Sequence, residues 1–439
     1  MSFFTDSNDP PTLREESIPM KSSKITLLCL VVLLAVTLCA DELFDAHATA
    51  IPYFFQCDDM DFHFGNLVLG SAVNRGVEVG EAFWAAFHIL DGDASSWQSV
   101  WNELAERVEI RGEEAYEKGH WISARDQFLR ASYYYRISLI SILPDQPSLK
   151  ERAQKSRELF LRGGQLLERP IEYYEVPYGE GVLPLFFRKA NEGNEPTKTL
   201  LMIGGGETFA EDLFFYIGPQ AFERGYNFLT LDLPGQGIMP LDGKFFRVDV
   251  EVPMKAVVDF VLNRTDVDPD ALFAYGISGG GVTVPRAAMF DERIKAIAMN
   301  SGVVNAYDLF STMPVVHATQ EDMASWTSFH RNVVRTINWR WGIDWDQPAG
   351  LVEANLGFEF DPKQISIPTL LIVGEGEYQN TEVQRQQKMI MERVNNPNKQ
   401  LVITPTNEGA SNHCVMENRS LVGSILFDWL DDILNDQGD

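Results

Sequence analysis

The sequence is poor in cysteine and in basic residues, and both shortages exclude classes of protein. The four cysteines are Cys29, Cys39, Cys57 and Cys414. Their spacing fits neither a zinc site nor a disulfide-stapled fold, so no metal site is predicted. Lysine and arginine total 36 against 63 aspartates and glutamates, a formal net charge of −27. A nucleic-acid binder needs a cationic surface, so we expect no nucleic-acid partner.

Low-complexity segments and internal repeats are also missing. Apolar residues make up 45% of the chain and aromatic residues 11%, which is enough to build a large buried core. No segment recurs at a fixed period, so a repeat array is excluded. A chain of 439 residues with this composition forms one large domain or two smaller ones.

The N-terminus has the composition of a polar tail followed by a membrane or signal segment. Residues 1–24 are polar, which predicts a disordered tail. Residues 25–40 (ITLLCLVVLLAVTLCA) are apolar without interruption, with lysines before them and acidic residues after them. This pattern predicts an anchor or signal helix, and the alternative is a buried core helix. It favours a membrane-anchored or secretory-pathway protein over a cytosolic one.

The rest of the chain divides into a helical part and an α/β part. Residues 50–168 have apolar residues at i, i+3 and i+4, which predicts helices. In residues 171–439 short β-rich runs alternate with helical segments, and the central runs are apolar throughout. We therefore predict a doubly wound, mostly parallel sheet. The eight predicted strands are 171–176, 182–187, 199–203, 227–231, 271–275, 294–299, 369–373 and 400–404.

One connection in the α/β part is too long for an ordinary crossover. Residues 304–360 are rich in tryptophan, which predicts a helical cap inserted over a ligand cleft. The helices of residues 50–168 are expected to complete this lid over the C-terminal edge of the sheet. The alternative is that these aromatic residues only form a packing layer.

The most specific motif surrounds Ser278. Residues 276–280 (GISGG) have the G-x-S-x-G spacing of a nucleophile elbow, with a predicted strand before them and a predicted helix after them. Glycines flank the serine because the turn that lifts its hydroxyl above the sheet is tight. Ser278 is therefore the predicted nucleophile, and the alternative is an ordinary glycine-rich turn.

A nucleophilic serine needs a base, and the base needs an acid that orients it. Among the seven histidines only His413 follows the last predicted strand, so His413 is the predicted base. The acid is expected just after strand 369–373, where Glu375 and Glu377 both occur. Glu377 is the favoured acid and Glu375 the alternative.

A glycine-rich loop, residues 204–208 (GGGET), follows the predicted strand 199–203. Its spacing matches neither a dinucleotide-binding loop nor a P-loop. Backbone N–H groups in such a loop can approach a reacting carbonyl. Gly205 and Gly206 are therefore predicted oxyanion donors, together with Gly279. Serine, histidine and these donors suffice for acyl chemistry, so no cofactor is predicted.

These motifs together resemble the α/β-hydrolase superfamily from about residue 171 to the C-terminus. The motifs GGGET, DLPGQG, GISGGG and EGASNHC, with the helical stretch 131–136 (ASYYYR), resemble a narrower group. That group is the fungal secondary-metabolite serine hydrolases of the fusarin-cluster, cytochalasin-cluster and heptaketide-pigment type, which are related to FrsA-like esterases. The sequence departs from this group at Glu377, where several relatives carry Asp, and at the apolar run 25–40.

The resemblance implies a serine hydrolase that cleaves an ester, thioester or activated C–C bond of a polyketide-derived small molecule. Two alternatives stay open, a general carboxylesterase or peptidase and a catalytically inactive binding protein, both on the α/β-hydrolase fold. Membrane anchoring through residues 25–40 and a homodimer also stay open.

Overall fold

The computed structural model describes residues 45–47, 49–179 and 181–436. The predicted tail, residues 1–24, and the predicted anchor, residues 25–40, lie outside these residues. Over the part of the chain that is described, no helix combines the length and apolar composition that a membrane span requires.

An eight-stranded sheet lies at the centre of the described residues, in the order β1-β2-β4-β3-β5-β6-β7-β8. β2 pairs antiparallel with both β1 and β4, and every other neighbouring pair is parallel. The predicted fold class, a mostly parallel α/β sheet with eight strands, is confirmed. The strands are β1 Glu172–Tyr178, β2 Gly181–Arg188, β3 Thr197–Ile203, β4 Asn227–Leu231, β5 Val267–Ile277, β6 Ala296–Asn300, β7 Thr369–Gly374 and β8 Lys399–Thr404.

Helices precede the sheet, connect its strands and fill the long insertion between β6 and β7. A π-helix, His63–Val68, and a 3₁₀ turn, Leu69–Asn74, follow the first α-helix. The α-helices are α1 Asp58–Phe62, α2 Val79–His88, α3 Ala94–Glu117, α4 Trp121–Ile137, α5 Ser148–Gln165, α6 Ala210–Glu223, α7 Glu251–Leu262, α8 Gly280–Phe290, α9 Ala306–Ser311, α10 Gln320–Ser325, α11 Ser328–Arg340, α12 Gly350–Ala354, α13 Glu375–Tyr378, α14 Thr381–Arg393 and α15 Arg419–Asp436.

The central strands are apolar throughout because both faces of the sheet are covered. Successive side chains point to opposite faces of a strand, so Leu200 and Leu201 of β3 enter different cores. The core that contains Leu200 also holds side chains of α3, α4, α5, α6 and α15, and the core on the opposite face is closed by α7, α8 and α14. The helices before the sheet therefore share one hydrophobic core with it.

The early helices also contact the insertion between β6 and β7. The Ser328 hydroxyl at the start of α11 accepts the N–H of Ala94 at 3.0 Å. Within α11, the side-chain amide of Asn332 donates to the carbonyl of Ser141 at 3.0 Å. Both segments thus lie on the same side of the sheet, where they line the cavity described below.

The Arg419 side chain links the early helical segment to the C-terminal part of the chain. It is buried, and its guanidinium donates to the carbonyls of Asn66 at 2.7 Å, Phe215 at 2.9 Å and Met416 at 3.1 Å. These three carbonyls belong to segments that are far apart in sequence. Arg419 therefore joins three pieces of backbone through charge-assisted hydrogen bonds.

We expect Arg419→Met to lower the free energy of unfolding by about 3 kcal/mol, because it removes several buried hydrogen bonds to a charged donor. Urea denaturation followed by circular dichroism measures this change. The control is Lys118→Met, whose ammonium pairs with Glu114 at the surface and should cost less than about 0.5 kcal/mol. Equal unfolding midpoints for the two variants would contradict the role given to Arg419.

Candidate active site

Ser278 stands at the sharp turn between β5, which ends at Ile277, and α8, which begins at Gly280. Its φ is +54°, in the left-handed region that non-glycine residues seldom occupy. The Ser278 N–H donates to the carbonyl of Asn300 at 2.8 Å, and the Ser278 carbonyl accepts the N–H of Gly281 at 2.8 Å. These two hydrogen bonds hold the strained turn, and the turn places the serine beyond the end of the strand.

His413 and Glu377 form a hydrogen-bonded pair next to this turn. Nδ1 of His413 lies 2.7 Å from Oε1 of Glu377. The other carboxylate oxygen of Glu377 accepts the Ser301 hydroxyl at 2.5 Å, so both oxygens have partners. A carboxylate can only accept, so Nδ1 of His413 carries a proton, and in the neutral form of the ring Nε2 carries the lone pair. Burial alone would lower the pKa of His413, but the neighbouring Cys414 and Glu377 outweigh burial and raise that pKa.

Glu375, the alternative acid, faces a different part of the protein. Its carboxylate is exposed and accepts the backbone N–H of Thr406 at 2.8 Å. Both glutamates belong to α13, where residues two apart point to nearly opposite sides of the helix. The structure thus places Glu377, and not Glu375, against His413.

The glycine-rich loop after β3 approaches Ser278 closely. A Cβ atom on Gly205 would lie 2.6 Å from the Ser278 hydroxyl oxygen, so only glycine fits there. The N–H of Gly205, however, donates to the Thr208 hydroxyl at 2.9 Å, which differs from its predicted role as an oxyanion donor. Among the described residues, the N–H groups of Gly206 and Gly279 have no protein acceptor. Of the three predicted oxyanion donors, Gly206 and Gly279 therefore have an N–H that is free to donate, and Gly205 does not.

Ser278, Glu377 and His413 line one cavity of about 630 Å³. A cavity of this size fits a drug-sized ligand, and such sites are mainly apolar with a few fixed polar groups. This cavity follows that pattern, with its walls built by the sheet edge, the early helices and the β6–β7 insertion. Its apolar lining includes Phe62, Leu213, Val282, Phe310, Val333 and Trp341.

Comparison with solved structures identifies the fold. The crystal structure of the 2,6-dihydroxy-pseudo-oxynicotine hydrolase matches 82% of this chain and 95% of its own chain, with a TM-score of 0.65 and 22% sequence identity. The chain has the α/β-hydrolase fold. A second structure, wild-type AbyA5, matches 79% of this chain and 86% of its own, with a TM-score of 0.56 and 19% identity.

The curated proteins that this chain resembles include fungal hydrolases. The 20-hydroxy-prefusarin hydrolase of Gibberella moniliformis is 33% identical over 62% of this chain and 65% of its own length. The α/β hydrolase gkaG of Penicillium citrinum is 34% identical over 59% of this chain and 62% of its own. The alignments thus span less than two thirds of these relatives. No family model matches the chain. The predicted resemblance to fungal α/β hydrolases is confirmed.

We expect Gly205→Ala to slow labelling of Ser278 by a fluorophosphonate at least about 100-fold, because the added methyl would lie 2.4 Å from the Ser278 Cβ and displace the serine. Labelling rates of the purified variant measure the effect, and circular dichroism checks that it is folded. The control is Gly80→Ala, where the methyl enters open space on α2. Labelling of Gly205→Ala at the wild-type rate would contradict this packing argument.

A second polar group in the cavity wall of this hydrolase fold was not predicted from the sequence. The Asp59 carboxylate accepts hydrogen bonds from His47 and His330. His63 contacts the Asp59 carbonyl through Nδ1 at 2.6 Å and Oε2 of Glu207 through Nε2 at 3.2 Å. All five residues line the cavity. The sequence offered one signal, since Glu207 is part of the GGGET loop, which also contains the predicted oxyanion donor Gly206.

This polar group is not arranged as a metal site. Over the described part of the chain, no set of three or more His, Cys, Asp or Glu side chains has the geometry to hold a metal ion. Its hydrogen bonds instead pair each histidine with an acceptor of the protein.

Proposed function

We propose that the protein is a serine hydrolase in which Ser278 is the nucleophile, His413 the general base and Glu377 the acid that orients it. The single observation that supports this most strongly is the contact of His413 Nδ1 with Glu377, which leaves the lone pair of Nε2 available in the cavity that Ser278 lines. The same observation argues against an inactive binding protein, which has no use for an oriented base beside a strained serine.

The proposed reaction starts when the Ser278 hydroxyl oxygen attacks the substrate carbonyl and passes its proton to Nε2 of His413. Glu377 stabilises the imidazolium that forms and keeps its ring in place. The N–H groups of Gly206 and Gly279 stabilise the oxyanion of the tetrahedral intermediate. His413 then protonates the leaving group. A water molecule releases the acyl group from Ser278 by the same steps.

We propose that the bond cleaved is an ester, thioester or activated C–C bond of a polyketide-derived intermediate. The apolar lining of the cavity supports a bulky, mainly apolar substrate. The similarity to the 20-hydroxy-prefusarin hydrolase supports a secondary-metabolite substrate. Anchoring through residues 25–40 and a homodimer remain predictions.

The bond class is tested with three substrates that share one decyl-length acyl chain, a p-nitrophenyl ester, an N-acetylcysteamine thioester and a β-diketone. We expect the purified protein to cleave at least one of them, with Ser278→Ala as the inactive reference. The class with the highest kcat/KM identifies the bond. If no class is cleaved faster by the wild-type protein than by Ser278→Ala, the proposed function is wrong.

A further inference from the structure

We propose that Glu207 binds a hydrogen-bond donor of the substrate, a hydroxyl or N–H group placed close to the scissile carbonyl. This inference rests on the proposed function, because it describes how the same cavity selects its acyl group. It makes Glu207 a specificity-determining residue and His63 the residue that positions it.

The contacts of His63 occupy one oxygen of the Glu207 carboxylate and leave the other without a partner in the described part of the chain. Nδ1 of His63 lies 2.6 Å from the Asp59 carbonyl, which can only accept, so Nδ1 carries a proton. Nε2 lies 3.2 Å from Oε2 of Glu207, and this contact is attractive to a carboxylate only if Nε2 also carries a proton. With Glu207 as a carboxylate, Nε2 of His63 is the donor of this hydrogen bond. Oε2 of Glu207 is used by His63, and Oε1 remains an acceptor.

The charges around Glu207 favour its carboxylate form. Burial would raise the pKa of Glu207, but His63, His47 and Arg340 outweigh burial and lower it. The Arg136 guanidinium faces the same loop and donates to the Glu207 carbonyl at 2.8 Å. An ionised Glu207 accepts hydrogen bonds and donates none, which sets the chemistry of the group it binds.

Three other carboxylates that line the cavity are buried and have protein partners. Asp59 accepts hydrogen bonds from two histidines, and Glu377 accepts from His413 and Ser301. Oδ2 of Asp212 pairs with Arg136 at 2.9 Å, and its Oδ1 is buried without a protein partner among the described residues. The Glu207 side chain, by contrast, is one-fifth exposed and lines the cavity. Among these four carboxylates Glu207 is therefore the most accessible to a substrate.

The position of Glu207 in the chain sets where the substrate group must be. Glu207 directly follows Gly206, whose N–H is a proposed oxyanion donor, and consecutive Cα atoms are about 3.8 Å apart. A substrate carbonyl bound at Gly206 would thus hold its nearby acyl atoms within reach of the Glu207 side chain. A hydroxyl or N–H group a few atoms from that carbonyl fits this arrangement. We infer that the protein prefers a hydroxylated or amide-bearing acyl chain over the plain one.

Binding to a protein that cannot turn over tests this inference. Isothermal titration calorimetry of the Ser278→Ala protein compares methyl 3-hydroxydecanoate with methyl decanoate. We expect the hydroxylated ester to bind at least about tenfold more tightly than methyl decanoate, because its hydroxyl donates a hydrogen bond to a charged acceptor. In Ser278→Ala/Glu207→Leu the two esters should bind with equal affinity. Glu207→Gln, which keeps a neutral acceptor, should retain part of the preference.

Three results overturn the inference: no binding of the hydroxylated ester, no preference in the Ser278→Ala protein, or a preference that survives in the Glu207→Leu variant. Fluorophosphonate labelling of the protein that retains Ser278 distinguishes a failure of this inference from a failure of the proposed function. Labelled Ser278 without a hydroxyl preference means that only the selection by Glu207 is wrong. A Glu207-dependent preference without labelling of Ser278 means that the cavity binds such ligands and the proposed hydrolysis is wrong.

Discussion

Ser278→Ala is expected to lower kcat by about 10⁴-fold or more on any substrate that the protein cleaves. The covalent intermediate cannot form without the hydroxyl, and the remaining oxyanion donors give only a small residual rate. His413→Ala should lower kcat by a similar factor. The kcat of the double variant should lie within about threefold of the kcat of either single variant, because the two residues act as one unit.

Steady-state kinetics measures these losses of kcat, with whichever of the three decyl substrates has the highest kcat/KM. Ser424→Ala is the matched control, because Ser424 is an exposed residue of α15 whose hydroxyl bonds only to the helix carbonyl of Ser420. It should keep the wild-type kcat within about twofold, as surface substitutions usually do. Turnover by Ser278→Ala above a tenth of the wild-type rate would show that another group carries the reaction.

Glu377→Gln is expected to lower kcat by about 10²- to 10⁴-fold, while Glu375→Gln changes it less than about twofold. A neutral amide in place of the Glu377 carboxylate cannot stabilise the imidazolium that forms on His413. Glu375, by contrast, contacts only the exposed Thr406 N–H. Equal losses in the two variants, or a larger loss in Glu375→Gln, would contradict the assignment of the acid.

The same pair predicts a change in pH dependence. Cys414 and Glu377 both raise the pKa of His413, and His413 must be neutral to accept the Ser278 proton. Activity should therefore be lost as pH falls through this raised pKa. Removing the carboxylate lowers the pKa, so the acidic limb of the kcat/KM profile of Glu377→Gln should move to lower pH. An acidic limb that does not move would mean that His413 is not the group that titrates.

Local patterns in the sequence were enough to predict the sheet and the three proposed catalytic residues, with Glu375 as the alternative acid. The strands are continuous apolar runs, and Ser278 lies in a motif whose glycines are required by one tight turn. His413 followed from chain order alone. Choosing between Glu375 and Glu377 was harder. Side chains two residues apart point in nearly opposite directions, both in an extended loop and in the short helix of the structure, so only one of the two can face His413.

The parts that sequence reasoning missed depend on contacts between distant segments. His63 and Glu207 are 144 residues apart, and no local pattern marks a histidine that meets a carboxylate across a cavity. The Gly205 N–H donates to the Thr208 hydroxyl because of the conformation of this loop. The number of glycines in the loop does not determine that conformation. The predicted anchor, residues 25–40, lies outside the described residues and stays a prediction.

The most direct test of the central claim is mass spectrometry of the protein after reaction with a fluorophosphonate. In the wild-type protein we expect one adduct, on the peptide that contains Ser278. We also expect His413→Ala, which lacks the base, to react at least about 100-fold more slowly. A stoichiometric adduct on another residue, no adduct on Ser278, or an unchanged rate in His413→Ala would contradict the central claim.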